Sequence, residues 1–500
     1  MDTINYLVLG FSTAFTPSNL FACFMGVSVG TLIGVLPGIG PVATMAILLP
    51  STFGMDPTTA IIMLCGIYYG AQYGGSTTSI LLNIPGETSS IATCLDGYQL
   101  ARKGRAGAAL GISAMGSFIG GTLSIVGLML LTPALAKLAI GFGPPEVFSL
   151  TVFGLMMVSS IGSGSLVKSL TIAALGLFVS TIGREASAKG FNRFTLGSLT
   201  LSDGVGLIPV AVGMFGIGEL LTNIEGLVKQ EVYKTNLRNL LPTLKDWHAC
   251  FWPIVRATVI GFFLGIIPGT GGPISTFFSY ATEKRLSKYP EKFGTGVIEG
   301  VAGPETANNA SASGAMVPLL ALGVPPHVVM AMLLGAFIIH GIQPGPFFIT
   351  DHPNLFWGII ASMYIGNVML LILNLPLISI WVQVLKIPCR ILFPLIIMLC
   401  FIGVYSLNNN FYELLIMVFF GFMGYFLRKM DYPLAPFILG QVLGPMMETS
   451  FCQSMGISQG DPSIFFRRPI SAILLGLVFL VLAWMFVVRV VGKRDTGRRK

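Results

Sequence analysis

The segment Ile470 to Val488 contains no charged residue, and a dozen comparable apolar stretches precede it. A helix needs ~20 apolar residues to cross the ~30 Å of hydrocarbon in a bilayer. Such stretches recur at about 20–36, 58–84, 107–136, 145–165, 166–183, 205–221, 253–268, 296–324, 326–342, 355–385, 389–406, 411–427 and 470–488. They predict an all-α integral membrane protein with about ten to thirteen transmembrane helices. With 10% of its residues charged and 53% apolar, the chain lacks the polar surface that a soluble domain needs, so the lipid bilayer is its solvent.

The net charge of +8 does not point to nucleic acid. Basic residues fall in short clusters between apolar runs, such as Arg102, Lys103 and Arg105, or Lys284, Arg285 and Lys288. That is the positive-inside pattern of a membrane protein, not a basic stripe interleaved with exposed aromatics. Arg489, Lys493, Arg494 and Arg498 follow the last apolar run, which predicts a cytoplasmic C-terminus. Met1-Asp2-Thr3 lacks the positive region that opens a secretory signal, so the first apolar run is expected to stay as a membrane segment. The seven cysteines show no paired ligand spacing, and neither a structural metal nor an organic cofactor is expected.

A polar interval at 223–252 divides the chain into halves, 1–222 and 253–500. It is read as a linker or an interfacial helix. The halves share a motif: Gly34-Val-Leu-Pro37-Gly38-Ile-Gly40-Pro41 returns as Gly265-Ile-Ile-Pro268-Gly269-Thr-Gly271-Gly272-Pro273. Downstream, the small polar run Gly74–Ser79 with its exit Asn83-Ile-Pro85-Gly86 matches Asn308–Gly314 with Leu322-Gly-Val-Pro325-Pro326. Each half is therefore expected to carry two helix interruptions.

Charge placement orients the two copies. The loop Ser51–Thr59 has no basic residue, whereas its counterpart Glu283–Lys292 has Lys284, Arg285, Lys288 and Lys292. The next loops reverse this, Asp96–Ala106 being basic and Gly341–Asn354 free of Lys and Arg. By the positive-inside rule the repeats are inverted, with broken or re-entrant helices meeting near the midplane.

Pro-Gly-x-Gly cannot continue a helix, because proline lacks the amide proton and glycine admits other backbone conformations. Unwound backbone at membrane depth must be buried in protein or line a wet cavity, where its amides suit anions and its carbonyls suit cations. Gly38, Gly40, Gly269, Gly271 and Gly272 are thus candidate substrate-binding positions. Ser76, Thr77, Thr78, Ser79 and Asn83 in the first half, with Asn308, Asn309, Ser311 and Ser313 in the second, offer neutral hydrogen bonds to a carboxylate. Close helix packing through small residues is the competing explanation. Its weakness is that packing does not require proline and asparagine to recur beside the glycines. Glu305 is the candidate acid for cation coupling, with the backbone at Gly38 and Gly269. Glu87 is placed at the interface, and His327 and His340 are read as packing residues rather than proton shuttles.

At these residues the chain resembles the large membrane subunit of the bacterial tripartite tricarboxylate transporters. The resemblance rests on Gly34–Pro41, on Tyr69–Glu87 and on Gly303–Gly314 followed by Pro318–Pro325. It implies a permease of the bacterial inner membrane that imports small carboxylates by symport with Na⁺ or H⁺. It also implies two partners, a periplasmic solute-binding protein and a small membrane subunit. Two other classes compete. A membrane-embedded protease would use Ser311 or Ser313 with a histidine base, yet the equivalent run of the first half has no histidine beside it. An ion channel would also expose carbonyls, but an inverted repeat in one chain suits alternating access better. No Gly-x-x-x-x-Gly-Lys-Ser/Thr phosphate loop is present, which argues against ATP-driven transport.

Overall fold

The computed structural model describes residues 3–36, 40–161, 165–185, 191–225, 240–385 and 389–497, and it is helical almost throughout. The first half runs α1 (Thr3–Ala14), α2 (Pro17–Val35), α3 (Pro41–Leu48), α4 (Pro57–Leu82), α5 (Ile91–Arg102), α6 (Ala106–Ala139), α7 (Pro144–Ile161) and α8 (Leu166–Ser180). A two-residue antiparallel ladder joins Gly183–Arg184 to Asn192–Arg193. Then come α9 (Leu199–Ser202) and α10 (Leu207–Ala211), which continues through a π-helical turn (Val212–Ile217) into α11 (Gly218–Glu225). The second half opens with α12 (Leu244–Ile266), α13 (Gly271–Leu286), α14 (Glu299–Leu322), α15 (Val328–Ile339), α16 (Phe348–Asp351) and α17 (Pro353–Asn374). It ends with α18 (Ile378–Val384), α19 (Cys389–Asn408), α20 (Phe411–Lys429), α21 (Ala435–Ile457), α22 (Ile464–Arg467) and α23 (Pro469–Gly497).

Among the described residues six helices are both long and apolar enough to cross a membrane, fewer than the apolar stretches suggest. The difference has a local cause. α4 and α14 run to 26 and 24 residues, but their buried polar runs at Ser76–Ser79 and Asn308–Ser313 lower their hydropathy. Others, such as Leu166–Ser180 and Val328–Ile339, are apolar but short. Of the polar interval at 223–252, residues 226–239 lie outside the described residues, and its end forms the first turns of α12. There Thr243 caps the helix, its hydroxyl bonded to the Asp246 carboxylate at 2.8 Å, a pairing suited to a helix start.

The repeated glycines set how closely the helices approach. α2 packs on α4 and α12 packs on α14. A Cβ at Gly30 or Gly34 would fall on the carbonyl oxygens of Ile67 or Ala71, and one at Gly261 or Gly265 on those of Ala307 or Ser311. Small residues thus let backbones touch without intervening side chains. α6 packs on α14, and α17 on α4, α2 and α1, so helices from the two halves interleave in one layer. A second layer joins α8 and α7 to α21, and α20 to the π-helical turn. The short helices α3 and α15 lie between the layers, α3 touching the π turn and α15 touching α21.

Loops of like charge character meet. Asp96, fully buried on α5, accepts the N–H groups of Gly294, Gly296 and Val297 at 3.0, 2.6 and 2.9 Å and the Tyr280 hydroxyl at 2.8 Å. Arg105 pairs with Asp246 at 2.7 Å. The basic connections after α5 and α13 therefore lie together. The connection after α3, which has no basic residue, instead approaches the end of α15, with the Thr52 hydroxyl 3.4 Å from His340 Nε2. Asp96→Ala strands three backbone amides and a tyrosine hydroxyl, and should cost about 3 kcal/mol. The check is a lowered thermal midpoint for the purified protein, whereas an unchanged midpoint would show the staple to be idle.

Candidate functional site

α2 ends at Val35 and α3 resumes at Pro41, with Leu36 already extended at φ −84°, ψ 110°. Pro37 and Gly38 lie outside the described residues, so the first break is defined by its two edges. The second is described throughout. α12 ends at Ile266, Gly269 adopts φ +87°, and α13 starts at Gly271. The Gly269 N–H donates to the Pro326 carbonyl at 2.9 Å, while the Thr270 hydroxyl bonds the carbonyls of Leu264 and Ile267 at the end of α12. A Cβ on Gly269 would meet the α7 backbone at Met157. Glycine is therefore required there both for its dihedral angle and for its lack of bulk.

Both breaks open on one cavity of about 1150 Å³ between the two helical layers. Gly40 and Pro41 line it from the first break, and Gly269 to Pro273 from the second. The first turns of α3 and α13 lie in its wall, and the opening amides of a helix have no partners within the helix. Partial positive charge at these termini favours an anion. Tyr68 and Gln72 of α4, the Pro85–Ser89 connection and His327 complete this side. The opposite layer contributes Val158, Phe215, Glu219, Arg428 and Tyr432. Arg428 Nη2 pairs with Glu219 at 3.2 Å, and its guanidinium lies 5.7 Å from the Phe215 ring centre.

The polar runs are distributed differently. The Ser76 and Thr93 hydroxyls donate to the Glu305 carboxylate, which is 1% exposed and sits well inside α14. Thr77 and Thr78 are buried, with the Thr78 hydroxyl on the Gly75 carbonyl at 3.1 Å. Ser79 donates to the same carbonyl and to Ser90 Oγ, each at 2.9 Å. Asn83 is an exposed helix terminator at φ 59°, the position that Gly323 fills in the second half at φ +69°. Asn308 Nδ2 donates to Glu87 Oε1 at 2.9 Å, and Ser311 donates to the Asn308 carbonyl at 2.7 Å. Asn309 and Ser313 turn elsewhere, lining a second void of about 10 Å³ with Tyr69 and Asn367.

The structure thus gathers Gly40, Gly269, Gly271 and Gly272 around one space, with Asn308 just behind it, and keeps the hydroxyl run inside packed helices. Sequence reasoning missed Tyr68, Gln72, Ser89, Glu219 and Arg428, and assigned Glu87 and His327 to other roles. A signal for the last two was present in the repeat. Aligning Pro85-Gly86-Glu87 with Pro325-Pro326-His327 puts Glu87 and His327 at equivalent positions, and both line the cavity. His327 Nε2 lies 3.3 Å from the Tyr68 hydroxyl. Among the described residues no three of His, Cys, Asp and Glu form a metal-binding group.

Residues 20–439 match the family described as the tripartite tricarboxylate transporter TctA family. Two proteins of Agrobacterium vitis are similar. One, described as an uncharacterized 52.8 kDa protein in the TAR-I ttuC′ 3′ region, is 50% identical over 99% of this chain and 98% of its own length. The other, an uncharacterized protein in the TAR-II ttuC′ 3′ region, is 52% identical over 47% of this chain and 97% of its own length. No solved structure matches the chain.

Proposed function

The chain belongs to the tripartite tricarboxylate transporter TctA family, and from that premise we propose that it is a permease importing small carboxylates by cation symport. A periplasmic solute-binding protein delivers the substrate, and a small membrane subunit completes the complex in the bacterial inner membrane. The observation that carries this reading is the cavity of about 1150 Å³, into which both interrupted helices open from opposite halves of the sequence. The helix starts at Gly40–Pro41 and Gly271–Gly272 supply amides for the substrate carboxylates, and the coupling cation, Na⁺ or H⁺, travels with them.

The two halves act as inverted repeats. Support comes from the loops: the basic connections gather at one end through Asp96 and Arg105, and those without Lys or Arg approach each other at Thr52 and His340. The basic end and the C-terminus are cytoplasmic. The cavity lining includes Ile91 of α5 and Phe277 and Phe278 of α13, the helices that run into the basic connections, and no residue of 51–59 or 341–354, so this conformation is read as open to the cytoplasm. Movement of one helical layer against the other then exposes the same wall to the opposite side.

The test is uptake into vesicles containing the permease and its small subunit, with a carboxylate-loaded binding protein outside. A tenfold inward Na⁺ gradient coupled one to one should drive about tenfold accumulation. Exchange of labelled for unlabelled substrate without net flux marks a carrier. Accumulation under neither a Na⁺ nor a proton gradient would overturn the reading.

A further inference from the structure

Among the described residues the charges lining the cavity do not balance. They are Glu87, Glu219 and Arg428, and Arg428 is already engaged with Glu219 at 3.2 Å. Glu87 remains as an uncompensated carboxylate on the wall that an anionic substrate must approach, and like charges at close range repel strongly where water is scarce. Something must neutralise Glu87 before a carboxylate settles beside it.

The neighbouring oxygens indicate what does so. The Ser89 hydroxyl and Asn308 Nδ2 both donate to Glu87 Oε1. The Glu87 contact also fixes the orientation of the Asn308 amide. Its Oδ1 lies beside Gly272, where it is buried and accepts no hydrogen bond among the described residues. Asn308 is only 1% exposed, so this oxygen has given up water without gaining a partner, an arrangement with a real energetic cost. A Cβ added to Gly272 would lie 2.9 Å from that oxygen and 2.8 Å from Ser89 Cβ. Glycine keeps this corner clear.

We propose that Glu87, Asn308 and Ser89 form the binding site of a monovalent metal cation of the Na⁺ class, placed between the first-half wall and the start of α13. The donor set is a carboxylate, an amide oxygen and a hydroxyl, all hard oxygens that suit a hard cation. A proton would neutralise Glu87 but leave Asn308 Oδ1 unpaired, whereas a metal ion answers both. The site deepens the proposed function, on which it rests. The bound cation converts a repelling wall into an attracting one, so cation and carboxylate bind cooperatively. Glu305 is set apart by geometry, because both of its oxygens already accept hydroxyl protons from Ser76 and Thr93.

The experiment uses the full-length chain purified in detergent and reads its thermal midpoint in NaCl against choline chloride at equal ionic strength. In the wild type, Na⁺ alone should raise the midpoint. Glu87→Gln should keep the wild-type midpoint in choline yet lose the Na⁺ shift, its apparent Na⁺ affinity falling by about tenfold or more. Asn308→Ala should weaken Na⁺ in the same direction, and Glu87→Asp should retain part of the response. An equal Na⁺ shift in Glu87→Gln overturns the site, as does a wild type stabilised by acid but not by Na⁺. The two proposals fail separately. Na⁺-driven uptake that is unchanged in Glu87→Gln removes the site and leaves the function, while a Na⁺ shift lost in Glu87→Gln together with no carboxylate uptake by the wild type removes the function and leaves the site.

Discussion

Gly40→Trp should fold as the wild type does and lose carboxylate uptake by about a hundredfold or more. Gly40 has ordinary backbone angles, φ −71° and ψ 168°, and no atom lies within 4 Å of a Cβ built there. A side chain therefore starts there without backbone strain or a clash at its Cβ, at a position that lines the cavity beside the start of α3. Two measurements separate the effects: the thermal midpoint reports folding, and vesicle uptake reports passage. Uptake at the wild-type rate would remove the first break from the substrate path.

Gly265→Leu should fail at an earlier stage, with little folded protein recovered. A Cβ there falls on the Ser311 carbonyl, so the side chain forces α12 away from α14 along a contact built on backbone proximity. Overpacking of this kind costs more than about 3 kcal/mol. Gly34→Leu meets the Ala71 carbonyl in the same way and should match it. Size-exclusion chromatography of the solubilised membranes is the check. A monodisperse Gly265→Leu variant with full uptake would show that the close approach is dispensable.

These two substitutions lie within one repeated motif, which explains why the motif was only partly legible in the sequence. Its first glycines serve packing, and Gly40, Gly269, Gly271 and Gly272, beyond the prolines, border the cavity. Spacing reveals that a helix stops at Pro268-Gly-Thr-Gly-Gly272, because a missing amide proton is followed at once by residues with free dihedral angles, whereas Pro304 and Pro318 alone leave α14 unbroken. It does not reveal what a glycine touches, which depends on a helix distant in sequence. Asn308 and Asn309 make the same point. Adjacent residues on a helix point about 100° apart, and so Asn308 turns to Glu87 while Asn309 turns to the void beside Asn367. Arg428 was legible only as a basic residue at the end of an apolar run. Nothing local distinguishes it from Lys429, and its place in the cavity wall follows from how α20 packs on the π-helical turn.

That turn, Val212–Ile217, has a consequence for how the cavity was assembled. A π turn holds one residue more than the α-helical turn it replaces. The surplus residue widens the helix locally, and the helix beyond keeps the direction it would have without it. Inside the turn Gly213 lets the Met417 carbonyl of α20 come close, while Glu219, just past it, still meets Arg428 at 3.2 Å. An insertion at this point is thus absorbed where two helices touch, without turning the acid away from its partner.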